Sequence, residues 1–370
     1  MRLLFLPTFY VPFVGGAEIL LQQLIADFRA RGHEAMVITS LPFETSAQID
    51  EVDGVTVHRF PAHHALTEND PRLMLAIQRD VRRVARDFEP DLTHLHDVGP
   101  VQWIYLRHRE QGVPLVITLH SVMSHIARGQ SLKILSQVLP NADAVTGVSN
   151  AVREDTASYA PSAAHRMSVI TNGIAPLIEK PTQVPDGSAR FLCLGRLVFQ
   201  KAYDVAIRAV ARLVPDHPDV QLMIAGVGPE ETMLRDLIGE LGVSSQVHLL
   251  GEVDRDRVAE LLEACTALVA PSKFEGMPLA VLESAFAARP VIGTAVPGLT
   301  EAVIDGETGI VVPLGDDDAL ARAMRRLIED RGLATKLGAG ARAWVEREHS
   351  LAACAEAYEA LYERVVAGAS

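Results

Sequence analysis

A strict alternation constrains this chain most. Short β-branched runs are RLLFLP at 2–7, EAMVITS at 34–40, VTVHRF at 55–60, DLTHLH at 91–96, PLVITLH at 114–120 and DAVTGVS at 143–149. Stretches of helical periodicity separate them, such as AEILLQQLIADFRARG at 17–32, with Gly32 as its stop. The pattern then restarts with FLCLGR at 191–196, VQLMIAGVG at 220–228, QVHLLG at 246–251, ALVAPS at 267–272, PVIGTA at 290–295 and GIVVP at 309–313. Alternation of this kind packs helices onto parallel sheets, so the class is α/β. Between the two sets, APLIEKPTQVPDGSA holds three prolines and little periodicity. This predicts two domains, 1–175 and 190–349, joined by a hinge at 175–189. The 370 residues are enough for each to bury its own core.

Composition narrows the function. The net charge of −13 and the pI near 5.5 argue against a nucleic-acid binder, which needs cations to replace phosphate counterions. The acidity is uneven: residues 1–180 carry 16 Lys+Arg against 19 Asp+Glu, and residues 181–370 carry 18 against 28. Cys193, Cys265 and Cys354 lie too far apart for a metal motif, which predicts buried thiols in a reducing compartment. MRLLFLP is too short for a signal-peptide core and reads as a first strand, so a cytoplasmic location is expected.

Ligands of open parallel sheets bind beyond the carboxyl ends of the strands, and the chemistry-bearing residues here follow strands. GGAE at 15–18 opens a helix after the first run, where free amides favour an anion and glycine permits close approach. Arg196 and Lys201, after FLCLG, offer a planar fork and a point charge suited to a diphosphate. AGVGPEE at 225–231 imitates a dinucleotide motif, but Glu231 stands where a third glycine belongs, and acidic residues in the first turn would repel a pyrophosphate.

In APSKFEGMPLAVLESAFAARPVIG, residues 270–293, Glu275 and Glu283 stand inside an apolar run. Pro278 fits the first helical position, which leaves Glu275 before the helix near the amides of Gly276, Met277 and Leu279. Glu283 shares a helical face with Leu279, Leu282 and Phe286, so it is drawn inward and needs donors. Ribose hydroxyls would supply them; a buried pair with an arginine would do so equally. His94, His96 and His120 come to two neighbouring strand ends, as metal ligands or as single hydrogen-bonding groups.

PSKFEGMPLAVLESAFA resembles the E-x7-E signature of retaining glycosyltransferases of the GT-B fold, glycosyltransferase family 4. GGAE, TLH at 118–120, GVSNAV at 147–152, TNGI at 171–174, GRLVFQK at 195–201, AGVGPE at 225–230 and ETGIVVP at 307–313 follow in the family's order. Ala202 stands where the family often has glycine. The resemblance implies two Rossmann-like parallel-sheet domains facing across a cleft, the second holding a nucleoside diphosphate sugar and the first the acceptor. It also implies a last helix, within 350–370, that packs on the N-terminal domain. Arg196 and Lys201 would grip the diphosphate, Glu283 the ribose and Glu275 the sugar hydroxyls. Gly16 would approach the phosphate, His120 would sit beside the reacting sugar, and Asn172 would lie in a ligand-side turn.

The expected activity is transfer of a sugar to an acceptor hydroxyl with retained configuration. No cofactor and no metal are called for, because Arg196 and Lys201 supply the positive charge. The acceptor is expected to be lipid-linked or a small molecule. Competing readings are a glycoside hydrolase using Glu275 and Glu283, a metal hydrolase built on the histidines, and a non-catalytic sugar-nucleotide-binding protein. In PRLMLAIQRDVRRVARDFEP, Ile77, Val81, Val84 and Phe88 oppose Arg79, Arg82, Arg83 and Arg86. This leaves peripheral contact with the inner membrane face open, against the plainer reading of a solvated outer face.

Overall fold

The computed structural model describes the chain except for Val14, Pro42, Phe43, His108, Glu110, Gln111, residues 127–129, Ser188 and Ser370. It divides into two compact units, one of Met1–Asn172 with Leu351–Ser370 and one of Gly173–Ser350.

In the first unit the strands are β1 (Arg2–Pro7), β2 (Glu34–Ser40), β3 (Gln48–Val52), β4 (Val55–Phe60), β5 (Leu92–His96), β6 (Leu115–Leu119), β7 (Ala144–Gly147) and β8 (Met167–Val169). They form one sheet in the order β3-β4-β2-β1-β5-β6-β7-β8, parallel except for β3, which runs antiparallel to β4. The helices are α1 (Gly16–Ala30), α2 (Ala62–Thr67), α3 (Pro71–Phe88), α4 (Pro100–Leu106), α5 (Met123–Ile126), α6 (Gln130–Val138) and α7 (Asn150–Tyr159). β5 and β6 are buried along their whole length, as strands covered on both faces must be. Two strands went unread in the sequence. β3, QIDEV, is almost wholly exposed and carries its charges on a sheet edge, so it has no apolar alternation to detect. β8 is three residues long.

α3 follows its sequence pattern. Asp70 caps it by accepting from Arg72 N and Leu73 N at 2.9 and 3.0 Å, and Pro71 opens it. Ile77, Val81 and Phe88 are buried, Val84 is half-buried, and Arg79, Arg82, Arg83 and Arg86 are exposed. Asp80 pairs with Arg79 and Arg83, and Asp87 with Arg86.

The second unit holds β9 (Arg190–Leu194), β10 (Gln221–Ala225), β11 (Val247–Gly251), β12 (Ala267–Ala270), β13 (Val291–Thr294) and β14 (Gly309–Val312) in the order β11-β10-β9-β12-β13-β14, all parallel. Its helices are α8 (Tyr203–Leu213), α9 (Glu231–Glu240), α10 (Arg255–Ala264), α11 (Leu279–Phe286), α12 (Leu299–Ala302), α13 (Asp317–Glu329) and α14 (Arg331–Glu348). The proline-rich segment 175–189 falls inside this unit. Arg289, fully buried, donates to the Thr182 and Gln183 carbonyls at 2.9 and 3.2 Å, and Arg342 donates to the Ile178 carbonyl at 3.1 Å. Carbonyl partners replace the water that a buried guanidinium loses.

The last helix, α15 (Leu351–Ala369), belongs to the first unit. Tyr358 and Tyr362 are buried, and Glu359 pairs with Arg31 at 3.2 Å and His33 at 2.8 Å on the side of α1. Cys193, Cys265 and Cys354 are free and buried. Among the described residues no helix is long and apolar enough to cross a membrane.

Candidate active site

The second unit gathers most of the expected residues at the carboxyl ends of its strands. Arg196 follows β9, is exposed, and makes no ion pair among the described residues. The loop that carries it is locked to the loop after β10. Gly195 N donates to Ala225 O at 3.0 Å, Leu197 N to Val227 O at 2.9 Å, and Glu230 N to Leu197 O at 3.1 Å. A Cβ on Gly226, at φ 142°, would lie 2.1 Å from Gly195 O, and one on Gly228 would lie 2.3 Å from Leu197 O. The glycines that imitate a dinucleotide motif thus allow two loops to touch, and so hold Arg196 in place.

Lys201 and Glu275 are a pair. Lys201 Nζ donates to Glu275 Oε1 at 2.7 Å, with the carboxylate almost wholly buried. Gln200 Nε2 donates to Phe274 O at 2.8 Å, and its own carbonyl accepts from Lys273 N at 2.8 Å, so the loops before α8 and α11 are stitched together. Gly298, at φ 81°, backs this loop, because a Cβ there would meet Glu275 O at 2.2 Å. Ala202 between Lys201 and α8 adopts φ 49°, ψ 43°, the left-handed conformation that glycine takes without steric cost. The buried Tyr203 hydroxyl has no hydrogen-bond partner among the described residues, and stands 3.1 Å from where a Cβ of Gly195 would be.

Pro278 is the N-cap of α11, not its first helical residue, with an extended ψ of 123°. The helix starts at Leu279, and Gly276, Met277 and Leu279 are all buried. No single apolar face sets Glu283 inward, because Val281, Ser284 and Ala285 of α11 are buried as well. Glu283 has a protein partner, Arg255 Nη1 at 2.5 Å, which the sequence left as an unnamed arginine. Burial raises the Glu283 pKa above the usual carboxylate range, and Arg255 opposes that shift.

The first unit holds the rest. Gly16 is exposed and begins α1, with Gly15 as N-cap, and the Glu18 carboxylate folds back to within 2.3 Å of where a Gly15 Cβ would stand. Asn172 is buried at the end of the unit. His120 follows β6, and its Nε2 lies 2.9 Å from His96 Nδ1. His94 bonds Tyr362 Oη through Nδ1 and Thr118 Oγ1 through Nε2, each at 2.7 Å. The three histidines are therefore neighbours whose facing nitrogens are engaged in hydrogen bonds. Among the described residues no cluster of three His, Cys, Asp or Glu is placed to hold a metal ion. Burial lowers all three pKa values, that of His94 to about 3.

Two Rossmann-like units, on sheets that are parallel except for the edge strand β3, give an α/β fold of the GT-B class. Residues 14–176 match the family described as Glycosyltransferase Family 4, and residues 176–344 match Glycosyl transferases group 1. The chain belongs to the GT-B glycosyltransferases of family 4 type. It is 28% identical to a glycogen synthase of Mycobacterium tuberculosis, over 92% of this chain and 89% of the relative. It is also 28% identical to a D-inositol 3-phosphate glycosyltransferase of Stackebrandtia nassauensis, over 88% and 82%. Among solved structures it resembles sucrose-phosphate synthase from Thermosynechococcus elongatus, with TM-score 0.84, 23% identity and 100% of each chain covered. It also resembles Anabaena HepE in complex with UDP-glucose, with TM-score 0.79, 21% identity, and 98% and 100% covered.

Proposed function

We propose that this glycosyltransferase moves a sugar from a nucleoside diphosphate sugar to an acceptor hydroxyl, with retention at the anomeric carbon and without a divalent metal. The observation that carries the donor reading is Arg196, an exposed guanidinium without an ion pair among the described residues, on a loop locked by Gly226 and Gly228. The binding of UDP-glucose by the structurally similar HepE supports it. As the glycosidic bond breaks, negative charge develops on the departing diphosphate. Arg196 and Lys201, placed in advance, lower the energy of that state more than that of the bound donor. This is the basis for metal independence.

Glu275 and Glu283 act in this reading as holders. Glu275 keeps the Lys201 ammonium in place until sugar hydroxyls compete for the carboxylate, and Glu283 with Arg255 faces the ribose. A hydrolase using the two as acid and nucleophile is disfavoured, because each carboxylate is already committed to a basic side chain, Glu275 to Lys201 at 2.7 Å and Glu283 to Arg255 at 2.5 Å. His120 stands at the sugar, Gly16 and Asn172 at further ligand contacts, and the acceptor is a small molecule or lipid-linked hydroxyl compound. The exposed arginines of α3 are a surface that an anionic membrane or acceptor would find attractive, and the protein acts in the cytoplasm.

The test is transfer from nucleoside diphosphate sugars to an acceptor panel in excess chelator, with the product's anomeric configuration read by NMR. Retention with undiminished rate supports the proposal. Inversion, or loss restored by a metal, overturns it.

A further inference from the structure

The histidine pair in the first unit contains an imbalance. His96 is 3% exposed, its Nδ1 lies 2.9 Å from His120 Nε2, and its buried Nε2 has no hydrogen-bond partner among the described residues. His120 is half-buried, and its Nδ1 has no partner among the described residues. A neutral imidazole carries one proton, so the contact has two arrangements. In one, His120 donates from Nε2, His96 carries its proton on Nε2, and that N–H is sealed away from any acceptor. In the other, His96 donates from Nδ1 and only a lone pair is left unmatched at Nε2. A buried donor without an acceptor is the costlier defect, since orphaned N–H groups are rarer in folded proteins than under-used acceptors.

We infer that His96 is a positioning residue that fixes His120 as the Nδ1–H tautomer, so that the free ring atom of His120 is a hydrogen-bond donor. Burial keeps the rings neutral, which the choice between tautomers requires. The surroundings hold His96 in this role. Its ring lies 4.2 Å from that of His94 between centroids, and His94 is itself fixed by Tyr362 of α15 and Thr118 of β6. His120 N donates to Asp97 Oδ1 at 3.0 Å, which pins the backbone beneath the ring. A donor at Nδ1 would select a ligand oxygen, such as a sugar hydroxyl accepting the bond. This last step rests on the placement of His120 beside the sugar.

The primary measurement needs no substitution. In the ¹⁵N-histidine-labelled full chain, long-range proton–nitrogen correlation distinguishes protonated from bare ring nitrogens. His120 is expected to show a protonated Nδ1 and a bare Nε2, assigned by loss of its signals in His120→Ala, and the reverse pattern overturns the inference. Two variants add the functional readout. His96→Asn keeps an N–H near the Nδ1 position and is expected to retain most of the rate. His96→Leu removes it and is expected to lower kcat by about 5- to 10-fold, the worth of one neutral hydrogen bond, with nucleoside diphosphate affinity unchanged. Equal kcat in the Leu variant and the parent rejects the positioning role. A His120→Ala enzyme with the parent's rate would reject the placement of His120 at the sugar instead, and leaves the tautomer result standing on its own.

Discussion

The ammonium of Lys201 donates to the buried carboxylate of Glu275 at 2.7 Å, across 74 residues of sequence. Two residues that the family resemblance assigns to adjoining parts of a donor, its diphosphate and its sugar, are thus each other's partner. Lys201→Ala removes one preorganised stabilising donor, and is expected to reduce turnover by roughly 10²-fold. It also leaves Glu275 without its cation, so the thermal midpoint should fall. Steady-state kinetics with calorimetry checks both, and unchanged turnover in a folded variant removes Lys201 from the reaction.

Glu283 separates two roles that its geometry joins. Arg255→Ala strips a buried carboxylate of its cation, and is expected to cost about 1–3 kcal/mol of stability. Glu283→Gln should weaken donor binding by about 1.5–3 kcal/mol, the worth of a hydrogen bond to a charged group. Titration calorimetry with the donor decides: unaltered affinity in the Gln variant makes the pair purely structural.

The glycines after β10 make a sharper contrast. Gly226→Ala places a methyl 2.1 Å from Gly195 O, in a backbone conformation that side chains avoid, whereas a Cβ on Gly239 in α9 meets nothing within 4 Å. Gly226→Ala is expected to displace the Arg196 loop and lower both activity and stability. Gly239→Ala should leave activity alone and stabilise by about 0.5–1 kcal/mol. If both variants behave alike, the two loops are not coupled as described.

His94 predicts acid lability of the first unit. Its folded pKa is lowered to about 3 from 6.5, so between those values the unfolded chain takes up a proton that the folded chain refuses. The stability from the neutral ring is fully present above pH 6.5 and is lost as pH falls toward 3. His96 and His120 shift in the same direction and add to it. From pH 7 to 5, His94 alone accounts for about 2 kcal/mol, at 1.36 kcal/mol per unit. Amide exchange in β5 and β6 measures this, and protection equal at the two pH values would contradict it.

The legible parts of the sequence were those fixed by local pattern. Short β-branched runs marked β5, β6 and β12, and the amphipathic period of α3 was readable from Pro71 to Phe88. What escaped depends on tertiary partners. β3 is polar because it is an edge, and Pro278 caps a helix it was expected to enter. Neither the Lys201–Glu275 contact nor the Arg255–Glu283 contact follows from spacing, since each joins elements brought together only by the sheet. AGVG departs from a dinucleotide motif because Glu231 stands where a third glycine belongs, but the close approach its glycines permit, to the backbone of Gly195 and Leu197, is visible only in three dimensions.

In the proposed function, residues of the second unit bind a nucleoside diphosphate without metal, and Arg196, which makes no ion pair among the described residues, is one of the cations that receive it. The direct measurement is calorimetric titration of UDP, GDP, ADP and TDP into the full chain in excess chelator, beside Arg196→Ala. One of the four is predicted to bind, with affinity at least about 10-fold weaker in the variant, as loss of a hydrogen bond from a charged group requires. Binding of none of them, or equal binding by variant and parent, would contradict it.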